Sequence, residues 1–190
     1  MDSLKNHVLK LVQASDEALD LFASKLQRIA ISKKRFLLQP GTQVQHEYFV
    51  LKGCLKTYYL DKKGNEHIIQ FAIENWWLGD FDAFYNGGTG KFFIEALEDS
   101  ELLAIDYNSL QEVFEKEPVF ERYFRILITG AFIAQRRRIL DGLSLKTKGR
   151  YLQFCEAYPN IETRVPNYQI ANYLGVSAEN LSRVRRKLKS

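Results

Sequence analysis

Cysteine and histidine are both scarce in this chain, and their scarcity excludes a good deal. Of 190 residues only two are cysteine, Cys54 and Cys155, standing 101 positions apart. That spacing offers no disulfide framework, no Cys-x-x-Cys pair and no zinc or iron–sulfur ligand pattern. The three histidines, His7, His46 and His67, are too dispersed for a histidine-based metal site. Long apolar runs are missing as well. No stretch approaches about 18 uncharged apolar residues, so no membrane span is expected. The opening segment MDSLKNHVLKLVQ has no basic stretch leading into an apolar run. No signal peptide is expected, and a cytoplasmic location follows by default.

What is present is a core-forming composition with an uneven charge. Apolar residues make up 46% of the chain, enough for one large domain or two small ones. The net charge is +4, but residues 136–190 hold 12 Lys/Arg against 4 acids, a balance of +8. Residues 1–135 hold 15 against 19, a balance of −4. All the excess positive charge therefore lies in the last 55 residues, as in a polyanion-binding module attached to a near-neutral body. A solvated basic tail is the competing reading, but this tail is apolar-patterned and not of low complexity.

Periodicity divides the chain further. Residues 3–30 read as helical: Leu4, Val8, Leu11 and Val12 recur at spacings of three and four. Leu19, Phe22, Leu26 and Ile29 do so again after the cap signal Ser15-Asp16. From about 35 to 106 the texture changes to short β-branched and aromatic runs: 36–38, 48–51, 55–60, 67–73, 92–97 and 101–105. Turn residues such as Pro40-Gly41, Lys52-Gly53 and Asp61–Asn65 punctuate them, which predicts an antiparallel barrel or sandwich. Residues 107–117 predict a short helix capped by Asn108 or Ser109. Pro118 then opens a long helix to about Gly142. That helix carries two apolar seams, one through Phe120, Phe124, Leu127, Ala131 and Ala134 and one through Tyr123, Ile126, Gly130, Ile133, Arg137 and Leu140. Two seams suggest one face for the barrel and one for a partner; a single wide stripe on a buried helix is the alternative. Residues 146–158 predict another helix.

The most specific pattern runs from Asn167 to Arg186. Counting Asn167 as first, the small Ala171 is fifth and Gly175 ninth, with Ile170, Leu174, Val176, Leu181 and Val184 in apolar slots. A small residue is needed where two helices cross, and glycine where the turn between them requires positive φ. Ser177 caps the second helix and Glu179 lies in its first turn. Leu181, Val184 and Leu188 form its buried face; Glu179, Ser182, Arg183 and Arg186 fall opposite. This is a helix-turn-helix whose outer face suits a major groove. Arg183 can contact guanine O6/N7 in bidentate fashion and Glu179 can accept from cytosine N4, while Ser182 allows close approach. Arg185, Arg186, Lys187 and Lys189 would neutralise phosphates, with Ser177 and Asn180 nearby. An αα-hairpin used for protein docking is the bland alternative.

Several segments together carry a family resemblance. Tyr48–Leu60 looks like a hairpin following a first barrel turn, and Gly64–Phe71 with Leu78-Gly79-Asp80 looks like the next strand and the start of a phosphate cassette. Glu179-Asn-Leu-Ser182-Arg183 matches an E-x-x-S-R reading pattern. With these, nearly the whole chain resembles the Crp/Fnr family of bacterial regulators. The resemblance implies an α+β protein: an antiparallel β-roll of the cyclic-nucleotide-binding type with flanking helices over 1–117, a dimerisation helix over 118–142, and a helix-turn-helix domain over 143–190. It implies a homodimer in which Tyr123, Ile126, Leu127, Gly130, Ala131, Ile133 and Ala134 line the helix contact. It also implies double-stranded DNA and RNA polymerase as partners, with Glu179, Ser182 and Arg183 reading a half-site like TTGAT. The chain ends a few residues beyond the recognition helix, so support for that helix is expected from elsewhere.

The departures from the family pattern concern the effector. Members that bind cyclic AMP carry an Arg-Ser or Arg-Thr pair late in the cassette, where this chain has Gly90 and Lys91; Asp80 stands for the usual ribose-binding Glu. A lysine supplies charge without a bidentate fork. Cyclic-nucleotide binding is therefore not expected, no cofactor is predicted, and Gly79, Asp80, Gly90 and Lys91 mark the candidate pocket for some other small effector, or none. No cysteine cluster supports an iron–sulfur centre and no ligand pattern supports haem. The aromatic cassette, Trp76, Trp77, Phe81, Phe84, Tyr85, Phe92 and Phe93, reads more readily as core than as a pocket. A metal enzyme on a jelly roll is argued against by His46/Glu47 and Glu66/His67, adjacent pairs that a strand points to opposite faces. No nucleophile–base pair stands out, so an enzyme is not expected. The remaining alternative is a ligand-binding module whose helix-turn-helix docks protein.

Overall fold

The computed structural model describes residues 1–189, and forms two compact units. The first comprises Met1–Thr57 and Phe71–Gly130, the second Tyr58–Gln70 and the chain from Ala131 onward. No helix among the described residues is long and apolar enough to cross a membrane.

In the first unit, helices α1 (Asp2–Leu9) and α2 (Asp16–Ser24) precede the strands β1 (Gln27–Ile31), β2 (Phe36–Leu38), β3 (His46–Lys52), β4 (Leu55–Leu60), β5 (Glu66–Ala72) and β6 (Trp77–Leu78). Helix α3 (Phe81–Asn86), β7 (Phe93–Ala96), β8 (Ser100–Asp106) and α4 (Tyr107–Lys116) follow. The strands make two four-stranded sheets ordered β1-β8-β3-β6 and β2-β7-β4-β5. β8 pairs antiparallel with β1 from Gln27↔Ala104 to Ile31↔Ser100, and with β3 from His46↔Asp106. Leu102–Ile105 are all buried, without the alternation of a half-exposed strand, because β8 is central in its sheet and α4 packs on it. The apolar spacing of α1 and α2 is real: Leu4, Val8, Leu19 and Phe22 enter the same core as Phe49, Leu103 and Leu110.

Two sequence expectations need correction. The helical reading of 3–30 fails after Ser24. Leu26 and Ile29 happen to continue the three-residue spacing, but Gln27–Ile31 is an edge strand whose ladder to β8 satisfies its backbone. The cap of α4 is Asp106, not Asn108 or Ser109. Its carboxylate accepts the Ser109 N–H at 2.9 Å and the Ser109 hydroxyl at 2.7 Å, so the chain passes from strand to helix without a loop. Ser15 caps α2 as its sequence suggests, accepting the Ala18 N–H at 3.2 Å.

Helix α5 (Val119–Ser144) begins just after Pro118. Its first turns bury Phe120, Tyr123 and Phe124 against Phe22 and Trp77, with ring centroids 4.6 Å apart for Phe22–Phe120 and 5.1 Å for Trp77–Phe124. The cassette aromatics divide accordingly: Trp77 joins this core, Phe84 is buried beside Tyr85 and Tyr107, and Phe81 is half in solvent.

The second unit holds the end of the β4–β5 hairpin, the rest of α5, and α6 (Thr147–Ala157), α7 (Ile161–Arg164), α8 (Asn167–Leu174) and α9 (Ala178–Lys189). Its core is Tyr151, Phe154, Tyr158, Ile161, Val165, Ile170, Ala171 and Leu181. Arg138 of α5 ties three segments together. Its guanidinium donates to the carbonyls of Ile68 and Ile69 in β5 and of Tyr173 in α8, and lies 3.9 Å from the centre of the Tyr173 ring.

Candidate nucleic-acid interface and sensor cleft

The helix-turn-helix is built as its residues dictate. Ala171 is buried where α8 meets α9, and Gly175 takes the left-handed conformation at φ 64° that ends α8. Val176 N–H closes that end on the Ala171 carbonyl. Ser177 Oγ accepts the Asn180 N–H at 3.2 Å, so its hydroxyl serves as the cap of α9. Leu181 is fully buried, Val184 half-buried and Leu188 exposed, so α9 leaves the core by its last turn.

The opposite face is open. Glu179, Ser182, Arg183, Arg186 and Lys187 are all exposed, and no hydrogen bond or ion pair engages Glu179, Arg183 or Arg186 among the described residues. Four charged groups and a hydroxyl thus stand on one face of a capped helix. Two other residues named from sequence have inward duties, and Ser182 has one inward contact besides its exposure. Asn180 Nδ2 donates to Thr147 Oγ1 at 3.1 Å, tying α9 to α6. Arg185, assigned to phosphate from its charge, donates to Asn167 Oδ1 at 3.0 Å and lies 5.9 Å from the Tyr151 ring centre. Ser182 Oγ accepts from Asn167 Nδ2 at 3.1 Å. The side chain of Lys189, also assigned to phosphate, lies outside the described residues.

Helix α5 presents its apolar surface differently from the sequence expectation. Tyr123, placed in the partner-facing seam, is fully buried: its hydroxyl accepts from Trp77 Nε1 at 3.0 Å and pairs with His7 Nδ1 at 2.8 Å. Burial, and then Lys10, lowers the His7 pKa, which favours the neutral imidazole that can accept from the phenol. Ile126 and Leu127 are half-buried against the same core, while Gly130, Ala131, Ile133 and Ala134 are exposed. The large exposed apolar side chains are Ile128, Phe132, Ile139 and Leu143, spaced four, seven and four, with Ile133 and Leu140 beside them. Phe132 is 60%, Ile139 64% and Leu143 84% exposed, a stripe too long and too apolar for a free helix face. Sequence pattern showed that two faces existed. It could not tell which met the core, because both are apolar.

In the roll, the four cassette residues adopt structural duties. Asp80 is buried; it caps α3 through the Ala83 N–H at 3.3 Å and accepts the Lys91 N–H at 2.7 Å. The Lys91 ammonium turns outward to Asp82 at 2.5 Å, and the buried Lys56 pairs with Glu95 at 3.2 Å. Gly90 packs against Leu38. Gly79 is glycine for a steric reason, since a Cβ there would lie 2.2 Å from Glu47 Oε1. A cleft of about 330 Å³ opens beside Asp80, lined by Gln39, Thr42, Gln43, Gln45, His46 and Tyr48 among others, with no lysine or arginine. No group of three or more His, Cys, Asp or Glu among the described residues could hold a metal.

In sequence, Glu47 figures only as a candidate metal ligand beside His46, and its burial is not anticipated. It is buried, its Oε1 has no hydrogen-bond partner, and its carboxyl is pushed up to about 8, first by burial and then by the nearby Asp80. Period-two alternation on β3 would have found it, because Glu47 shares a strand face with the buried Phe49. Asn167 and Arg138 were missed for another reason: their partners are distant in sequence or are backbone carbonyls.

The chain thus joins a β-roll to a long helix and a helix-turn-helix. Residues 28–117 match the cyclic nucleotide-binding domain. The chain is 25% identical over 165 residues to the regulatory protein HlyX of Actinobacillus pleuropneumoniae, covering 81% of this chain and 68% of that one. It is 26% identical over 168 residues to the fumarate and nitrate reduction regulatory protein of Vibrio cholerae, covering 81% of this chain and 65% of that one. The match thus spans about two thirds of these relatives. Its fold is that of the global regulator CLP of Xanthomonas campestris, with a TM-score of 0.71 at 17% identity over 92% of each chain. The chain thus resembles bacterial regulators of the Crp/Fnr type over most of its length.

Proposed function

We propose that the protein binds double-stranded DNA as a homodimer at a palindromic site and regulates transcription there in contact with RNA polymerase. The observation that carries this reading is the open face of α9, where Glu179, Ser182 and Arg183 stand exposed on a capped, core-anchored helix. Arg183 reads guanine and Glu179 accepts from cytosine, on arms like TTGAT. Arg186 and Lys187 supply phosphate affinity, with Ser177 and Asn180 setting the helix start. A dimer is required because one short helix reads too few base pairs; two helices about 34 Å apart read a palindrome. The stripe Ile128–Phe132–Ile139–Leu143 supports α5 as the dimer contact.

In this reading 1–117 is sensor-like, 118–142 dimerises and 143–190 binds DNA. The effector, if one exists, is not cyclic AMP. The cassette offers no arginine, Lys91 is turned to Asp82, and the cleft beside Asp80 is lined by apolar side chains, amides and hydroxyls with no lysine or arginine. A cyclic phosphate would find no bidentate partner. No catalytic role is assigned to any residue.

Selection of random duplex DNA by the purified protein tests the reading. A palindrome with TTGAT-like arms, lost in Arg183→Ala, is the expected result. Specific binding retained by that variant, or only non-specific binding abolished by moderate salt, would overturn it in favour of a protein-docking role.

A further inference from the structure

Asn167 is the first residue of α8, outside the reading helix, yet its carboxamide touches α9 at three places. Nδ2 lies 3.1 Å from the Ala178 carbonyl oxygen and 3.1 Å from Ser182 Oγ, and Oδ1 lies 3.0 Å from Arg185 Nη1. Ala178, Ser182 and Arg185 stand at intervals of four and three, so they form one ridge along α9. Asn167 grips that ridge over two turns.

The orientation of this amide follows from chemistry. A carbonyl oxygen can only accept and a guanidinium can only donate. The NH2 group must therefore face Ala178 and the amide oxygen must face Arg185. With one NH2 hydrogen on Ala178, the other is directed to Ser182, whose oxygen accepts it. Ser182 is exposed, and its own proton meets no acceptor among the described residues. A free serine hydroxyl can serve either as donor or as acceptor. This one spends one of its two lone pairs on Asn167 from within the protein, which leaves its proton free to be donated outward and biases it toward donating.

We propose that Asn167 is a specificity-setting positioning residue of the DNA-reading surface, which holds Ser182 as a hydrogen-bond donor toward the bases and draws Arg185 into the helix-turn-helix. The proposal rests on the reading of α9 as the base-reading helix. A donor at Ser182 favours guanine N7 or O6, adenine N7 and thymine O4, and discriminates against the exocyclic amines of cytosine and adenine. Arg185 becomes part of the scaffold: gripped by Asn167 and set against Tyr151, it fixes the pitch of α9 relative to α8. Sequence patterns for this motif place no reading role at its first position, because Asn167 acts through two residues 15 and 18 positions later.

Variants of the whole chain test this by fluorescence anisotropy, against the selected operator, all single-base variants of one arm, and a random duplex. Asn167→Ala is expected to weaken operator binding about tenfold while changing random-duplex binding less than about twofold. Asn167→Asp is the sharper variant. A carboxylate can only accept, so it turns the Ser182 proton inward and exposes the serine oxygen as an acceptor. Base preference at the position Ser182 meets should then shift toward cytosine or adenine amines. The added negative charge lowers affinity for every duplex alike and does not move that preference. An acid in the first turn of a helix is favourable, so this variant folds even if the alanine does not. In combination with Ser182→Ala, Asn167→Ala should cost nothing further at that base. Unchanged base preference in Asn167→Asp, or full additivity with Ser182→Ala, overturns the proposal if Arg183→Ala still abolishes specific binding. If Arg183→Ala leaves specific binding intact, the base-reading role itself has failed.

Discussion

Glu47→Gln is expected to remove most of the pH dependence of the sensor unit's stability between about pH 4.5 and 8. The Glu47 carboxyl is buried beside Asp80, its Oε1 is unpartnered, and its pKa is raised from 4.5 to about 8. Between those two values the folded state binds one proton more than the unfolded state. Stability is therefore fully present below the unfolded pKa and lost as pH rises through the folded one. The slope is about 1.4 kcal/mol per pH unit, and the whole loss is at most about 5 kcal/mol. Glutamine has the same shape and never ionises, so its curve should be flat in this window and cross above the wild type toward pH 8. Both tryptophans, Trp76 and Trp77, lie in the first unit, so urea unfolding followed by their fluorescence reports the sensor half alone. Parallel stability curves for the two proteins from pH 5 to 9 would refute the argument. They would mean that Glu47 has a cationic or hydrogen-bonding partner in solution.

Other perturbations address the remaining parts of the molecule. Phe132→Glu with Ile139→Glu should convert dimer to monomer in analytical ultracentrifugation and weaken binding to a palindrome. The far-ultraviolet spectrum should not change, since both side chains are exposed in the single chain. Lys187→Ala should weaken binding to all duplexes and lower the salt slope by about one; an effect confined to one base would contradict a phosphate role. Arg138→Gln removes three charge-assisted bonds and the stacking on Tyr173, at a cost of about 3 kcal/mol. Hydrogen exchange in residues 58–70 should accelerate accordingly. Cyclic AMP should produce no binding heat in calorimetry, and micromolar binding would show that Lys91 leaves Asp82 for the phosphate.

The contrast between Leu26/Ile29 and Ala171/Gly175 shows what kind of feature a sequence discloses. The helix-turn-helix is legible because its constraints are local: a crossing that admits only a small side chain, a turn that needs positive φ, and a cap one residue before a helix. Each constraint names a residue type at a fixed offset. Leu26 and Ile29 carry only a spacing, and Gln27–Ile31 is a strand because Ser100–Ala104 lies beside it. That information sits 69 to 77 residues away. Helix α5 fails in a third manner. Both its faces are apolar, so Tyr123 could be assigned to either, and only its bonds to Trp77 and His7 place it in the core.

The same distinction explains why output is easier to read than input in this chain. The proposed base-reading surface leaves Glu179 and Arg183 unpaired, so they keep in the fold the chemistry their identities imply. A sensor cleft works by pairing groups with one another until a ligand intervenes, and pairing is invisible in sequence. Asp80 illustrates this. As a residue in a cassette it suggested a ligand contact; in the fold both its oxygens are taken by the N–H groups of Ala83 and Lys91, and it holds α3 and the 87–91 segment together. Asp80 can still transmit a signal, because anything that displaces it releases both segments at once. Replacing it with asparagine, which keeps one acceptor and loses the charge, should therefore loosen α3 and the loop together. It should also lower the Glu47 carboxyl toward its ordinary range by removing the nearby negative charge. Hydrogen exchange that rises in only one of the two segments would show that Asp80 is a helix cap and nothing more.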